Sequence, residues 1–304
     1  MNEGGALWDA PGPRARRRSR LCGLLFVTAL AAAGWWVLAA LAGRNQLTAQ
    51  KWRPFVDDAR VWTEFLLPGL GNTLTAAALA MLAALPLGVS LAIARLSRRG
   101  WIAGPAGALV DVLRAIPVLM LMLLCNQAYA LFTPLAPERR PLVAVVSALA
   151  LFNAAVLTEI IRAGILALPR GQSDAAHSLG LRKHQVMTRI LLPQAITAML
   201  PALVAQLVVL VKDTALGGEM LGFGELLQQT RVITANYGAN TIATLTVVAL
   251  LFIAVNLVPT RAAGALERRL RRGRRTTGTR AGATTETGEQ VLMPLAASPR
   301  DRHR

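Results

Sequence analysis

Residues 66–94 have the sequence LLPGLGNTLTAAALAMLAALPLGVSLAIA, which is twenty-nine consecutive positions without a charged side chain. A helix needs about 20 apolar residues to cross the hydrocarbon core of a bilayer. The residues that follow, 95–100, form a short basic segment. This stretch therefore predicts a membrane-spanning helix that ends in a basic loop.

Five other apolar regions lie before or after this stretch. They occupy residues 21–42, 101–132, 142–158, 195–211 and 237–258. Region 101–132 is interrupted by Asp111, Arg114 and Pro117. The helix that starts at residue 142 is expected to continue through Glu159 and Arg162. Together these regions predict an all-α polytopic membrane protein with six transmembrane helices.

The composition is typical of a membrane protein. Only 16% of the 304 residues are charged, against about a quarter in soluble domains, and 54% are hydrophobic. The net charge of +17 is carried by short basic clusters between the apolar regions, without interleaved aromatic residues. This distribution favours a membrane protein that obeys the positive-inside rule over a protein that binds nucleic acid.

The basic clusters also predict the orientation of the chain. With the N-terminus inside, the inner segments up to residue 275 carry 20 Lys and Arg residues and the outer segments carry 8. Lys and Arg are concentrated in cytoplasmic loops. We therefore expect a multi-pass protein of the cell membrane, with both termini and the loop at residues 166–194 in the cytoplasm.

This loop contains GQSDAAHSLGLRKHQVMTRILLPQ between residues 171 and 194. Ser173 is expected to cap a helix that starts near Asp174. The carboxylate of Asp174 would then lie in the first turn and interact favourably with the helix dipole. Gly180 is expected to end or bend this helix. The apolar face of the helix is narrow and consists of Ala175, Ala176 and Leu179. A short helix of this kind can dock into a groove on a partner protein.

The same loop closely resembles the signature of importer permeases that couple to an ATP-binding cassette subunit. The family consensus begins with Glu-Ala-Ala, and Asp174 stands in the place of the acid here. The spacing to Gly180 and to the ending around Pro193 also matches. The resemblance implies that the coupling residues are Gly171, Gln172, Asp174, Ala175, Ala176, Leu179, Gly180, Ile190, Leu192 and Pro193.

Other segments resemble the permease domain of polar amino-acid importers. They are LGNTL at 70–74, LRAIP at 113–117, TEIIRAG at 158–164, LPQA at 192–195 and LVKDTAL at 210–216. Before this domain, QLTAQKWRPF at residues 46–55 is similar to the glutamate permeases of high-G+C Gram-positive bacteria. Glutamate is therefore the expected substrate.

The resemblance implies a type I importer fold and a set of partners. Such permeases work in pairs, so a second permease subunit, identical or homologous, is expected. A cytoplasmic ATP-binding cassette subunit would bind ATP and Mg²⁺, and an extracellular substrate-binding protein would deliver the amino acid. The chain itself is expected to hold no cofactor and no metal ion, and to catalyse no reaction.

The expected organisation has five parts. These are a basic cytoplasmic segment (1–20), an extra first helix (21–43), an extracellular loop (44–65), the permease domain (66–270) and a basic cytoplasmic tail (271–304). Both terminal segments are poor in apolar residues, so disorder is expected there.

Polar side chains inside the apolar regions need an explanation, because placing an ionisable group at mid-membrane costs about 2.5–3.5 kcal/mol of insertion free energy. The candidates are Arg114, Asn126, Gln127, Glu159, Arg162, Lys212 and Asp213. On one interpretation they line a substrate pathway in which Arg114 or Lys212 meets the carboxylates of glutamate. On the other they join helices to one another, with Glu159 and Arg162 as the main pair.

Other functions have little support in the sequence. His177 and His184 are seven residues apart, or about 10 Å along a helix, which is too far for one metal ion. The sequence contains no nucleotide-binding loop ending in Gly-Lys-Ser/Thr and no Gly-x-Ser-x-Gly elbow. The alternatives are a permease for glutamine, arginine, histidine or cystine, an ion-coupled secondary transporter, and a membrane enzyme acting on lipid.

Overall fold

The computed structural model describes residues 12–278, and within this range it contains helices and no β-strand. The α-helices are α1 (Pro13–Gly43), α2 (Ala49–Trp52), α3 (Pro54–Asp57), α4 (Leu67–Arg95), α5 (Gly100–Ala115), α6 (Val118–Phe132), α7 (Arg140–Leu166), α8 (Arg170–Ser178), α9 (Lys183–Val186), α10 (Leu192–Leu221), α11 (Gln229–Asn236) and α12 (Thr241–Gly278). Two π-helical turns, Val61–Leu66 and Met187–Leu191, lead into α4 and α10. The predicted all-α fold is confirmed.

Five helical stretches are long and apolar enough to cross a membrane. They are Arg17–Gly43, Val61–Arg95, Arg140–Leu166, Arg189–Leu221 and Thr241–Ala262. The region at 101–132 forms the pair α5 and α6, which is bent by 100°, and this pair counted as one span gives the six that the sequence predicted. Pro117 explains the break, since the residue before a proline is kept out of the helical conformation. Ile116 is accordingly extended, with φ −78° and ψ 126°.

Helices α4 and α7 pack closely at the centre of the bundle. A Cβ added to Gly88 would lie 2.9 Å from the Cβ of Leu157, and the Thr158 hydroxyl donates to the Gly88 carbonyl at 3.1 Å. Small residues let two backbones approach in a bilayer, where packing rather than the hydrophobic effect joins helices. A further polar contact joins α10 to α7, where Gln206 Nε2 donates to Asn153 Oδ1 at 2.7 Å.

Residues 44–66 form a folded strap rather than the polar loop that the sequence predicted. The strap contains α2, α3 and the first π turn. Its apolar side chains belong to a buried cluster made of Phe55, Val61, Leu66, Leu226, Ile233, Ala243 and Val248. Trp62 Nε1 donates to the Phe55 carbonyl at 2.8 Å, and the Tyr237 hydroxyl donates to Asp58 at 2.6 Å. The strap is therefore held against α11 and the start of α12.

Three helices are longer than the sequence predicted. α1 begins at Pro13, inside the segment expected to be disordered, and α12 extends to Gly278, inside the expected tail. Alanine, leucine and arginine are frequent in residues 261–275, and all three are strong helix formers. α10 continues past Lys212 and Asp213 instead of ending there. The remaining terminal residues lie outside the described range.

Candidate coupling segment and transport pathway

The expected coupling residues begin on α8, which starts earlier than predicted. α8 follows Pro169 directly, and no side chain caps its first turn. Ser173 and Asp174 therefore lie in the middle of the helix, so the predicted cap at Ser173 and the predicted first-turn position of Asp174 are wrong. The proline accounts for the earlier start, because it keeps Leu168 out of the helical conformation and so separates α8 from α7.

The end of α8 agrees with the prediction. Gly180 has a positive φ of 76°. The N–H groups of Gly180 and Leu181 donate to the carbonyls of His177 and Ala176, at 3.0 and 3.2 Å. This is the Schellman arrangement, which needs a left-handed residue, and glycine adopts that conformation at the lowest cost.

The outer side of α8 is exposed. Leu179 is 83% exposed, although it is a large apolar side chain. Gly171, Asp174 and Ala175 are also exposed, whereas Ala176 is turned inward and buried. The helix thus presents small side chains and one leucine to its surroundings.

The other signature residues connect α8 to α10. Gln194 Nε2 donates to Gln172 Oε1 at 2.8 Å and to the Ile190 carbonyl at 3.0 Å. Ile190 and Leu192 are half-buried. Pro193 lies in the first turn of α10, directly after the π turn Met187–Leu191. A side-chain hydrogen bond therefore joins α8 to the first turn of α10.

Four charged residues form a network where α4, α5 and α7 meet. Arg162 donates to Glu159 Oε2 from Nη2 at 3.0 Å and from Nε at 3.2 Å, so the pair considered from the sequence is present. Arg95 Nη1 lies 3.1 Å from Asp111 Oδ1 and 3.0 Å from Glu159 Oε1. The contact with Glu159 is within ion-pair distance but lacks the angle of a hydrogen bond. Arg95 and Asp111 were not predicted as members, although charged residues beside apolar regions need partners.

The remaining pathway candidates lie on three helices, α5, α6 and α10. Arg114 is exposed on α5, and on α6 Gln127 is exposed while Asn126 is half-buried. On α10, Lys212 is exposed and Asp213 is half-buried. None of these five side chains forms an ion pair within residues 12–278. The same range holds no group of three His, Cys, Asp or Glu side chains suited to a metal ion.

A second buried carboxylate lies at the opposite end of the bundle, in the turn between α10 and α11. Glu225 is fully buried and accepts hydrogen bonds from the N–H groups of Leu227 and Gln228, both at 2.7 Å. Burial raises the pKa of Glu225 to about 7, although these two hydrogen bonds act in the opposite direction. The Leu226 N–H donates to the Thr73 hydroxyl and fastens the turn to α4. The sequence places Glu225 in a segment with several glycines that also contains Glu219, and no pattern there distinguished it.

Residues 84–272 match the family described as the binding-protein-dependent transport system inner membrane component. The chain belongs to this family. The matched range includes α8 and the network around Glu159. It covers most of the permease domain expected from the sequence.

Individual relatives agree with this family. The glutamate transport system permease protein GluD of Corynebacterium glutamicum is 40% identical over 234 residues, which are 77% of this chain and 85% of that protein. The glutamate/aspartate import permease protein GltK of Escherichia coli is 40% identical over 161 residues, 50% of this chain and 70% of that protein. A solved amino acid ABC transporter with histidines has a TM-score of 0.62 at 30% identity, over 68% of this chain and 95% of that chain.

These matches confirm the predicted resemblance to ABC importer permeases and the predicted multi-pass membrane fold. The chain is the permease component of a binding-protein-dependent ABC transport system.

Proposed function

We propose that this permease imports an acidic amino acid, with glutamate as the first candidate. The observation that carries the proposal is the 40% identity with a permease named for glutamate, over 77% of this chain and 85% of that protein. A relative named for glutamate and aspartate supports the same class of substrate.

ATP hydrolysis by a separate subunit drives this import, and that subunit docks on α8. The support is the shape of the segment: a short helix with an open outer side, ended by Gly180 and carrying the exposed Leu179. Its link to α10 through Gln172 and Gln194 gives a mechanical route from the docked ATPase to the membrane. ATP and Mg²⁺ are bound by the partner, because the chain has no nucleotide-binding loop of its own.

The substrate passes between this chain and a second permease, identical or homologous, that covers one face of α10. Exposed positions on that face recur every three or four residues, and they are Ala198, Ala202, Ala205, Val209 and Lys212. A cation that faces lipid at mid-membrane costs about 2.5–3.5 kcal/mol, whereas one that faces a polar pathway avoids this cost. Lys212 is placed to meet a substrate carboxylate. Arg114 and Gln127 are further exposed candidates on α5 and α6.

Both termini and α8 lie in the cytoplasm in this proposal, and an extracellular binding protein delivers the amino acid to the opposite end. The support is the excess of Lys and Arg in the inner segments, 20 against 8. When ATP closes the ATPase subunits, α8 moves and the two permeases expose the pathway outward. The bound nucleotide shifts this equilibrium only through its different affinity for the two states.

The substrate is tested by uptake of radiolabelled glutamate in cells that lack the gene and in cells complemented with it. Complementation should restore uptake that depends on ATP. If it restores uptake of arginine, histidine or glutamine but not of glutamate, the family stands and the substrate is wrong. If uptake follows an ion gradient without ATP, the ATPase partner is wrong.

Coupling is tested with two variants of matched exposure. Leu179→Asp places a charge on the 83% exposed residue that directly follows α8, and Val56→Asp places one on an 85% exposed residue of α3. Neither side chain is packed in the chain, so both variants should fold. Leu179→Asp should lose the ATPase on purification, and Val56→Asp should keep it. Gly180→Asp should abolish uptake at normal membrane abundance, and normal transport by this variant contradicts the role of the segment.

A further inference from the structure

The helix α1 begins with a cluster of arginines directly before its apolar part. Arg14, Arg17, Arg18 and Arg20 lie on the first turns of this helix, and their side chains are exposed. The sequence contains no Asp or Glu between residues 14 and 56. No carboxylate of the same helix therefore neutralises these guanidinium groups.

The length of α1 places this cluster among the headgroups of the membrane. Its 31 residues extend over about 46 Å. A bilayer measures about 40–45 Å with its headgroup layers, and its hydrocarbon core measures about 30 Å. Residues 21–43 extend over about 35 Å, which is enough to cross the core. The arginines at 14–20 therefore lie in the layer of phosphate groups.

The surroundings of α1 are lipid. Every residue from 17 to 40 is exposed, so nothing in the described part of the chain covers this stretch. The same stretch is long and apolar enough to cross a membrane, with a mean hydropathy of 2.1. A helix that is apolar on all sides needs an apolar environment, and here the bilayer supplies it. The groups that face the arginines are accordingly lipid headgroups.

The chemistry of the cluster favours headgroups with a net negative charge. A guanidinium forms bidentate, charge-assisted hydrogen bonds with phosphate oxygens. In phosphatidylcholine the phosphate is balanced by the ammonium of the same headgroup, whereas in phosphatidylglycerol it is not. A group of about four to eight Lys and Arg residues at the cytoplasmic end of a span is typical of a surface for anionic lipid. Each cation raises the affinity about fivefold.

We infer that the first turns of α1 are a binding surface for anionic phospholipid, which gathers these lipids around α1 in the membrane that it spans. Arg14, Arg17 and Arg18 form the main face, because residues three and four apart lie on the same side of a helix. Arg20 lies on the other side of the helix and contacts further headgroups. The surface lies outside residues 84–272, so it belongs to the first helix and not to the segment that matches the importer family.

The test measures which lipids surround α1 in the full chain, reconstituted into phosphatidylcholine vesicles. Cys22 is exposed and follows Arg18 by four residues, so a fluorophore on its thiol reports on lipids beside the cluster. Cys125→Ser prevents a second label. Phosphatidylglycerol and phosphatidylcholine that carry the same nitroxide on the acyl chain are compared as quenchers. Half-maximal quenching should need about fivefold less of the labelled phosphatidylglycerol.

Removing the cluster should abolish this difference. The variant carries Arg14→Gln, Arg17→Gln and Arg18→Gln together, and the two lipids should then quench the Cys22 fluorophore equally. These arginines form no ion pair within residues 12–278, so the variant should fold, and thermal unfolding checks this.

A matched control removes the same charge elsewhere. It carries Arg44→Gln, Arg53→Gln and Arg139→Gln, which are also exposed and form no ion pair within the described residues. This protein should keep the fivefold difference at Cys22. A second control moves the fluorophore to Leu38→Cys in the Cys22→Ser protein, about 24 Å along α1. There the two lipids should be distinguished less well than at Cys22.

Four outcomes overturn the inference. One is equal quenching by the two lipids in the protein with the intact cluster. Another is an equal loss of the difference in the cluster variant and in the matched control, which would assign the effect to the net charge of the chain. The third is loss of the difference on adding inorganic phosphate at constant ionic strength, which would mean a general anion site. The fourth is its loss on adding the ATPase subunit, which would make an acidic protein surface the partner of the cluster.

Discussion

Glu159 and Glu225 are two carboxylates held at opposite ends of the helical bundle, and they are stabilised in different ways. Glu159 lies between the guanidinium groups of Arg95 and Arg162, with both ion-pair distances at 3.0 Å. Glu225 forms no ion pair within residues 12–278 and accepts hydrogen bonds from two backbone N–H groups. The end that carries α8 is therefore held by opposite charges, and the other end by a carboxyl whose pKa is raised to about 7.

This difference indicates how each end can be disturbed. Removing the charge of Glu159 leaves Arg162 without its counter-ion and Arg95 with Asp111 alone, in a partly buried place, which is costly. Glu225 changes its protonation near neutral pH, so the turn that it organises responds to pH instead. This turn lies at the end of the bundle opposite α8, which is the extracellular end in the proposed orientation.

The largest expected effect is the pH dependence that Glu225 contributes. Its folded pKa of about 7 lies above the usual 4.5, so the folded state binds the proton more tightly. This stability is fully present below pH 4.5 and is lost as the pH rises through 7, by up to about 3 kcal/mol. Glu225→Gln should remove that loss when denaturant unfolding in micelles is followed from pH 4.5 to 8. Parallel curves for the two proteins would contradict the raised pKa.

Glu159→Gln should cost about 2 kcal/mol of unfolding free energy, between the values for exposed and buried ion pairs. The reason is that Glu159 is 19% exposed and contacts two cations. The same unfolding assay measures it, and Glu138→Gln is the control because Glu138 is exposed on a loop. Equal losses of unfolding free energy in the two variants would mean that the network around Glu159 stabilises the fold no more than an exposed glutamate does.

The Lys212→Gln variant tests the opposite case, a cation that has no ion-pair partner among residues 12–278. Uptake of glutamate should fall by about tenfold, which corresponds to one charge-assisted contact. Unfolding free energy should stay the same, since no ion pair is broken. Lys212→Arg should retain more uptake than Lys212→Gln. A loss of stability without a loss of transport would assign Lys212 to helix packing.

The smallest expected effect concerns the strap. The Tyr237 hydroxyl, followed by contacts with Arg60, lowers the pKa of Asp58 below its usual 3.8. The contribution of Asp58 is therefore present above that value and is lost as the pH falls through the lower, folded pKa. Tryptophan emission from Trp52 and Trp62 should change on acidification below pH 3.8. Asp58→Asn should lack this transition, and an unchanged transition would assign it to another group.

The spans and the end of α8 were predictable, but several contacts were not. Apolar runs located the helices because their length is a property of the local sequence. Gly180 located the end of α8 because only glycine tolerates a positive φ without cost. The sequence prediction placed the start of α8 near Asp174, because Ser173 can cap a helix. The helix in fact starts directly after Pro169. The break at Pro117 was visible as a proline, but its angle of 100° was not.

The sequence by itself determined the class of this protein: an α-helical importer permease, recognisable from apolar runs and from the spacing around Asp174 and Gly180. These features depend on neighbours along the chain, so local rules suffice. Only the tertiary structure decided which polar groups meet. Asp58 contacts Tyr237 across 179 positions and Leu226 contacts Thr73 across 153. Such partners are set by the packing of whole helices, which no local pattern contains.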